Sequence, residues 1–248
     1  MKAPYKMWIT LCTDGSLNIA QNIVKNSDFF INDIVKYVNV LTAHPNKDII
    51  NKFALNKNTY DYIICVSPNG VNCIHDHVVT IKDTVKFIVM GMESYKLLKM
   101  YTKNTALYPK HSTGMKAVFD QIIFYNQKDF VNKKIAVLKG FGNTNTSNII
   151  NDNMNALNAL NVQIDYFDIY TTEFVNISPE IINTIFINKL LKGIIFTSSS
   201  IVRWFFSDIG PGKYISNLMD LCFVAWHDEI IDTLYEYKLT NIKHTHRL

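Results

Sequence analysis

Three short segments recur in the same order in the two halves of this chain, and that recurrence limits its fold more than any single motif. Asp61-Tyr-Ile-Ile-Cys-Val-Ser67-Pro-Asn-Gly-Val71 resembles Lys192-Gly-Ile-Ile-Phe-Thr-Ser198-Ser-Ser-Ile-Val202, with Ser67 and Ser198 131 residues apart. Trp8-Ile-Thr-Leu-Cys12 lines up with Ile135-Ala-Val-Leu-Lys139 at a spacing of 127, and Phe87-Ile-Val-Met-Gly91 with Cys222-Phe-Val-Ala-Trp226 at 135. A period of this length is that of a domain, not of a solenoid repeat. No Pro- or Ser-rich linker separates the halves.

The repeated segments read as buried strands set between helices. Strands are expected at Met7 to Leu11, Ile34 to Leu41, Tyr62 to Val66, Phe87 to Met90, Ile135 to Leu138, Val162 to Tyr170, Ile194 to Thr197 and Leu221 to Ala225. Several are continuous apolar runs, the mark of strands covered on both faces. Ser16 is placed to cap a helix carrying Leu17, Ala20, Ile23 and Val24 on one face. Pro45 is placed in the first turn of a helix reaching Asn56. Further helical patterns cover Glu93–Lys103, Thr113–Tyr125, Thr146–Leu160, Pro179–Leu191, Ile201–Ser207 and Asp228–Lys238. Such alternation predicts α/β architecture, with parallel sheets flanked by helices.

Composition narrows the function classes. The 248 residues are 48% hydrophobic and 19% charged, a globular balance. The formal charge of +4 comes without a dense Lys/Arg block. That argues against nucleic acid and leaves room for an anionic small molecule. Cys12, Cys65, Cys73 and Cys222 are scattered, as expected in a reducing cytoplasm. The first six residues lack the apolar core of a signal peptide, and no apolar run spans a bilayer.

The candidate chemistry sits where strands end. Ser67-Pro68-Asn69-Gly70 and Ser198-Ser199-Ser200 each follow a buried strand and open a helix. Hydroxyls and free amides there suit carboxylates, though they also cap helices routinely. Lys139-Gly140-Phe141-Gly142-Asn143 lacks the third glycine of a dinucleotide loop and the Gly-Lys-Ser/Thr of a phosphate loop. Cys73, His75 and His77 would place only Cys73 and His77 on one helical face, short of a four-ligand zinc site. His244 and His246, beside Arg247, read as a solvated tail. No Gly-x-Ser-x-Gly elbow occurs, and Cys65 lies inside an apolar run. His227-Asp228-Glu229 reads as a helix start, and Tyr170 as a strand-end tyrosine.

In this order and spacing, the motifs resemble the uroporphyrinogen-III synthase family over nearly the whole chain. Asp61 to Val71 looks like its "D-x-(apolar)-T-S-x-N-G-V" segment. Phe87 to Gly91 with Ser94 looks like its "V-G-x-x-T-A" segment. Ile135 to Gly140 looks like its second-half strand and turn, Asn161 to Tyr170 like the strand ending in "V-Y", and Ile194 to Ser200 like the second "F-T-S" strand. The sequence departs from the family at Leu11, where Thr10-Leu11-Cys12 replaces Thr-Arg-Pro. It departs again at Phe141 to Asn145, which lacks an arginine, and at Glu229, where Gly-x-x-Thr is expected.

The resemblance implies two similar α/β domains, 1–36 plus 174–248 and 37–173, joined by a two-stranded linker with two chain crossings. The active site would be the cleft between them. It implies a cofactor-independent, metal-free lyase, cytoplasmic and monomeric, with no membrane or nucleic-acid partner. The substrate would be hydroxymethylbilane, a linear tetrapyrrole bearing carboxylates on every ring. Its terminal hydroxyl leaves, the last ring is inverted and the macrocycle closes. Tyr170 would assist the leaving hydroxyl. Thr10, Ser67, Asn69, Gly70, Ser94, Lys139, Gly140, Thr197, Ser198, Ser199 and Ser200 would bind the substrate. A non-catalytic two-domain binding protein, or a degenerate relative that binds an anionic small molecule, remains the alternative.

Overall fold

The computed structural model describes residues 6–142, 144–187, 189–207, 218–226 and 228–245. Asn143, His227, His246 and Arg247 lie outside the described residues, as does the side chain of Asn145. Among the described residues ten strands run in chain order: β1 (Met7–Thr13), β2 (Ile34–Pro45), β3 (Tyr62–Cys65), β4 (Lys86–Val89), β5 (Ala106–Leu107), β6 (Lys134–Gly140), β7 (Gln163–Phe174), β8 (Leu191–Phe196), β9 (Cys222–Ala225) and β10 (Ile242–His244). The α/β reading holds.

Contacts divide the chain into unit 1, Met1–Thr42 with Glu173–Leu248, and unit 2, Ala43–Thr172. Within unit 1 the strand order is β10-β9-β8-β1-β2, and within unit 2 it is β5-β4-β3-β6-β7. The paired strands are parallel. Matching β1 to β6, β2 to β7, β8 to β3, β9 to β4 and β10 to β5 makes the two orders identical. The repeat legible in three segments therefore extends to five strands. The pairs β5/β10 and β2/β7 were not matched from sequence, because two or three residues make too short a pattern and half-exposed strands diverge.

The continuous apolar runs have their expected cause. In β3, Ile63 and Cys65 join one core cluster while Tyr62 and Ile64 join another. In β6, Ala136 and Leu138 face the first and Ile135 and Val137 the second. Both faces are thus covered, and alternation in polarity disappears. Unit 1 has its own core around Trp8, Phe196, Phe205 and Phe223.

Several local expectations change. Pro45 ends β2 rather than opening a helix; Asn46 caps Lys47–Asn56 instead, its Oδ1 accepting from the Ile49 N–H at 3.3 Å. Ser16 precedes the helix Leu17–Lys25 without capping it, because its Oγ turns back to accept from the Thr13 N–H at 2.9 Å. Thr146–Leu160 is two helices, Thr144–Asp152 and Met154–Ala159. His244 is not a solvated tail residue: it pairs with Ala225 in β10, and its Nε2 lies 3.6 Å from Asp228 Oδ1. No helix among the described residues is long and apolar enough to cross a membrane.

Gly193 of β8 is closely packed. A Cβ there would collide with the Cys222 carbonyl oxygen and the Trp8 ring. Both are fixed, one as backbone and one as a fully buried indole. Gly193→Ala should cost at least the 1–3 kcal/mol typical of core overpacking. Urea unfolding checks this; an unchanged midpoint would show that β8 and β9 can separate freely.

Candidate active site

Parallel sheets bring their carboxyl-terminal strand ends to one edge, where ligand-binding loops collect. In unit 2 that edge carries Ser67 after β3, Lys139 and Gly140 at the end of β6, and Tyr170 in β7. Ser67 has extended backbone and caps the helix Pro68–Cys73, its Oγ accepting from the Gly70 N–H at 3.0 Å. The same Oγ shares a 2.9 Å hydrogen bond with the Tyr170 hydroxyl. Sequence motifs named both residues, but their contact spans 103 positions and has no local signature.

Tyr170 stands opposite Gly140 across a register shift between Lys139 and Gly140. The Phe141 N–H donates to the Tyr170 carbonyl oxygen at 2.8 Å, fixing that end of the pair. Tyr170 is only 6% exposed. Burial pushes its phenol above the ordinary value of 10, opposed by the Ser67 hydrogen bond. The group is therefore a hydrogen-bond donor at neutral pH.

The other expected residues of unit 2 fall into place around this pair. The Lys139 side chain is buried and its Nζ lies 2.6 Å from Asp168 Oδ1, so its charge is already matched. Asn69 is half-buried. Gly70 is buried, and its N–H is committed to Ser67. Ser94 is buried near the start of the helix Met92–Lys99.

Unit 1 places hydroxyls at its matching edge. Thr197 Oγ1 donates to the Leu11 carbonyl at 3.1 Å and lies 3.4 Å from Ser16 Oγ. Thr13 Oγ1 bonds Ser16 Oγ at 2.9 Å. Ser198 Oγ accepts from the Ile201 N–H at 3.3 Å, the counterpart of the Ser67 cap. Ser199 Oγ donates to Glu229 Oε1 at 3.0 Å, and Ser200 is exposed. Thr10 sits apart from this group. It lies in mid-strand, fully buried, and its hydroxyl has no hydrogen-bond partner among the described residues. The strand runs on to Thr13, so Thr13 and Ser16 hold the edge position expected of Thr10. The 127-residue spacing was the available signal, since it places Thr13 on Gly140.

The units differ at one point. Thr13 pairs with Leu41 after a register shift at the same step that brings Gly140 opposite Tyr170. Unit 1 thus has a threonine and a leucine where unit 2 has a glycine and a tyrosine.

Cys73 and His77 fall in separate short helices that meet at Ile74, and His75 Nδ1 lies 2.6 Å from the Asn72 carbonyl oxygen. Among the described residues no three His, Cys, Asp or Glu side chains are grouped to hold a metal. Burial pushes the thiols of Cys65 and Cys73 up to about 12 and about 11, so both are protonated and poor nucleophiles at neutral pH.

A family model for uroporphyrinogen-III synthase HemD matches residues 35–246. Among solved structures, the chain is similar to a mutant uroporphyrinogen III synthase of Thermus thermophilus, with a TM-score of 0.54 and 11% identity over 96% of this chain and 92% of that one. The uroporphyrinogen-III synthetase of Helicobacter pylori gives the same TM-score, identity and coverage. At that identity the likeness speaks for the fold. No curated protein sequence matches.

A buried, neutral Tyr170 makes stability pH-dependent. Its raised folded-state pKa means that its contribution is complete below the unfolded value near 10. That contribution is lost as pH rises through the folded value. Wild type should therefore lose stability more steeply above about pH 10 than Tyr170→Phe. Urea midpoints from pH 8 to 11 measure this; parallel curves would place the phenol in solvent.

Proposed function

The chain belongs to the uroporphyrinogen-III synthase family, and we propose that Tyr170, supported by Ser67, acts on the leaving hydroxyl of its linear tetrapyrrole. The reaction closes hydroxymethylbilane with inversion of the last ring and loss of water. The carbon–oxygen bond at the terminal hydroxymethyl breaks, its electron pair leaves on oxygen, and the pyrrole nitrogen supplies electrons to the carbon. The azafulvene carbon bonds to the substituted position of the last ring to give a spiro intermediate; the bond from that position to its original bridging carbon then breaks, and reclosure inverts the ring.

The observation that carries the assignment is the 2.9 Å bond between Ser67 Oγ and the Tyr170 hydroxyl. A serine hydroxyl has one donor and two acceptor sites. Ser67 already accepts from the Gly70 N–H, so it can donate to the phenol oxygen. Tyr170 then keeps its own proton for the departing hydroxyl. Chained hydrogen bonds polarise one another and strengthen the last donor. Burial keeps the phenol protonated, as a donor requires.

The azafulvene closes without inversion when left in water, so holding the chain in one geometry matters more than strong acid or base. Asn69 and Ser94 in unit 2, and Ser198 and Ser200 in unit 1, carry side-chain donors suited to carboxylates, whereas the hydroxyls of Thr13, Thr197 and Ser199 already donate to Ser16, Leu11 and Glu229. Lys139 acts through its pair with Asp168 rather than as an open cation. The dispersed cysteines support the reducing cytoplasm as its compartment.

With hydroxymethylbilane supplied, wild type should yield the type III isomer, resolved from type I by chromatography. Ser67→Ala and Ser198→Ala should each lose roughly ten- to a hundredfold in single-turnover rate, the effect of about 1.5–3 kcal/mol per charged hydrogen bond. Tyr170→Phe should lose more. Wild-type rates in Tyr170→Phe would remove the tyrosine from the mechanism, and exclusive type I product from wild type would remove the activity itself.

A further inference from the structure

We infer that Gly140 is a positioning residue: its missing side chain seats the Tyr170 ring, and turnover depends on it although it carries no functional side chain. This rests on the role given to Tyr170 above. A Cβ built at Gly140 would lie 2.7 Å from Tyr170 Cε2, 2.9 Å from Cζ and 3.1 Å from the hydroxyl oxygen. Real Cβ atoms essentially never come as close as the first two of these distances. The clashing atoms belong to a rigid ring, not to the loose end of a flexible chain. Its hydroxyl is held by Ser67 at 2.9 Å, so a ring displaced by a Cβ would disturb that hydrogen bond.

Backbone conformation does not explain the glycine. Positive φ among the described glycines occurs at Gly114 and Gly142, not at Gly140. An ordinary L-residue can adopt the Gly140 backbone, so the ring is what excludes a side chain. The duplicated unit supplies an internal control. Thr13 holds the same place after the same register shift, carries a Cβ, and faces Leu41 instead of a tyrosine. Glycine and tyrosine occur together at this pairing in unit 2 and are both absent from the matching pairing in unit 1. The catalytic group is thus built by a pair of residues, only one of which carries a functional side chain.

This reading differs from one in which Gly140 offers its backbone to the substrate. There a substitution would act on binding and would be independent of Tyr170. A double-mutant cycle with Gly140→Ala and Tyr170→Phe separates the two. Displacing a catalytic group by about 1 Å can cost roughly a hundredfold. We therefore expect Gly140→Ala to lower kcat by about ten- to a hundredfold with KM within about threefold. Added to Tyr170→Phe, it should change kcat by less than about threefold, because the hydroxyl it displaces is already gone.

Stability gives a second readout should Gly140→Ala fold poorly. Gly140→Ala combined with Tyr170→Leu reproduces the pairing in unit 1, a Cβ opposite a leucine, and should regain the urea midpoint that Gly140→Ala loses. Full additivity in the kinetic cycle, a loss confined to KM, or no stability rescue by Tyr170→Leu would overturn the inference. Wild-type turnover in Tyr170→Phe would instead overturn the tyrosine's role, while the stability cycle would still report the contact between Gly140 and Tyr170.

Discussion

Each unit hangs on parallel strands that are hydrogen-bonded along both edges, among them β1 between β2 and β8, and β6 between β7 and β3. A parallel strand in that position has no face open to water, so it must be apolar throughout and must be met by helices above and below. Helices then start where strands end, and the hydroxyls that open them gather along one edge. The placement of Ser67, Ser198, Thr197 and Lys139 follows from this constraint before any ligand is considered. It also explains why the same residue types read equally well as caps or as binding groups in sequence. Ser67 and Ser198 each cap a helix, and capping uses only one lone pair of the oxygen.

What the duplicate units do with a shared scaffold differs by a few atoms. Both break register at the same step of the central pairing, between Cys12 and Thr13 and between Lys139 and Gly140. In unit 1 the residue brought opposite is Leu41, and the nearby hydroxyls bond to one another and to the Leu11 carbonyl. In unit 2 it is Tyr170, whose hydroxyl reaches Ser67 over the top of a glycine. Burial holds that phenol neutral, and the buried cation at the end of β6, Lys139, is matched by Asp168. The result is a donor in a largely neutral setting, suited to a reaction in which geometry decides the product.

The fold was legible where period and burial coincide. Continuous apolar runs announced β3, β4, β6, β8 and β9, and three matched pairs, β3 with β8, β4 with β9 and β1 with β6, announced the duplication. The two-residue β5 and three-residue β10 were invisible, since a strand that short is defined by its neighbour's hydrogen bonds and not by its own residues. His244 shows the consequence: polar flanks made it look like a tail, whereas pairing with Ala225 makes it a strand residue. Pro45 and Ser16 were misplaced because proline and serine suit several positions near a helix start, and only tertiary contacts choose among them.

By itself, then, the sequence determined the class of architecture, the duplication, and the residue types at each strand end. It also carried the resemblance that led to Tyr170. Only the tertiary structure decided which of those residues meet. Ser67 and Tyr170 are 103 positions apart, and the register of β6 on β7, with its one-residue shift, brings them together. Thr10 and Thr13 differ by three residues, yet one is sealed in the sheet and the other stands at its edge. Strand propensity reports that a residue belongs in a sheet. How far the strand runs, and which side chain it sets opposite which, depends on hydrogen bonds to partners that local sequence does not contain.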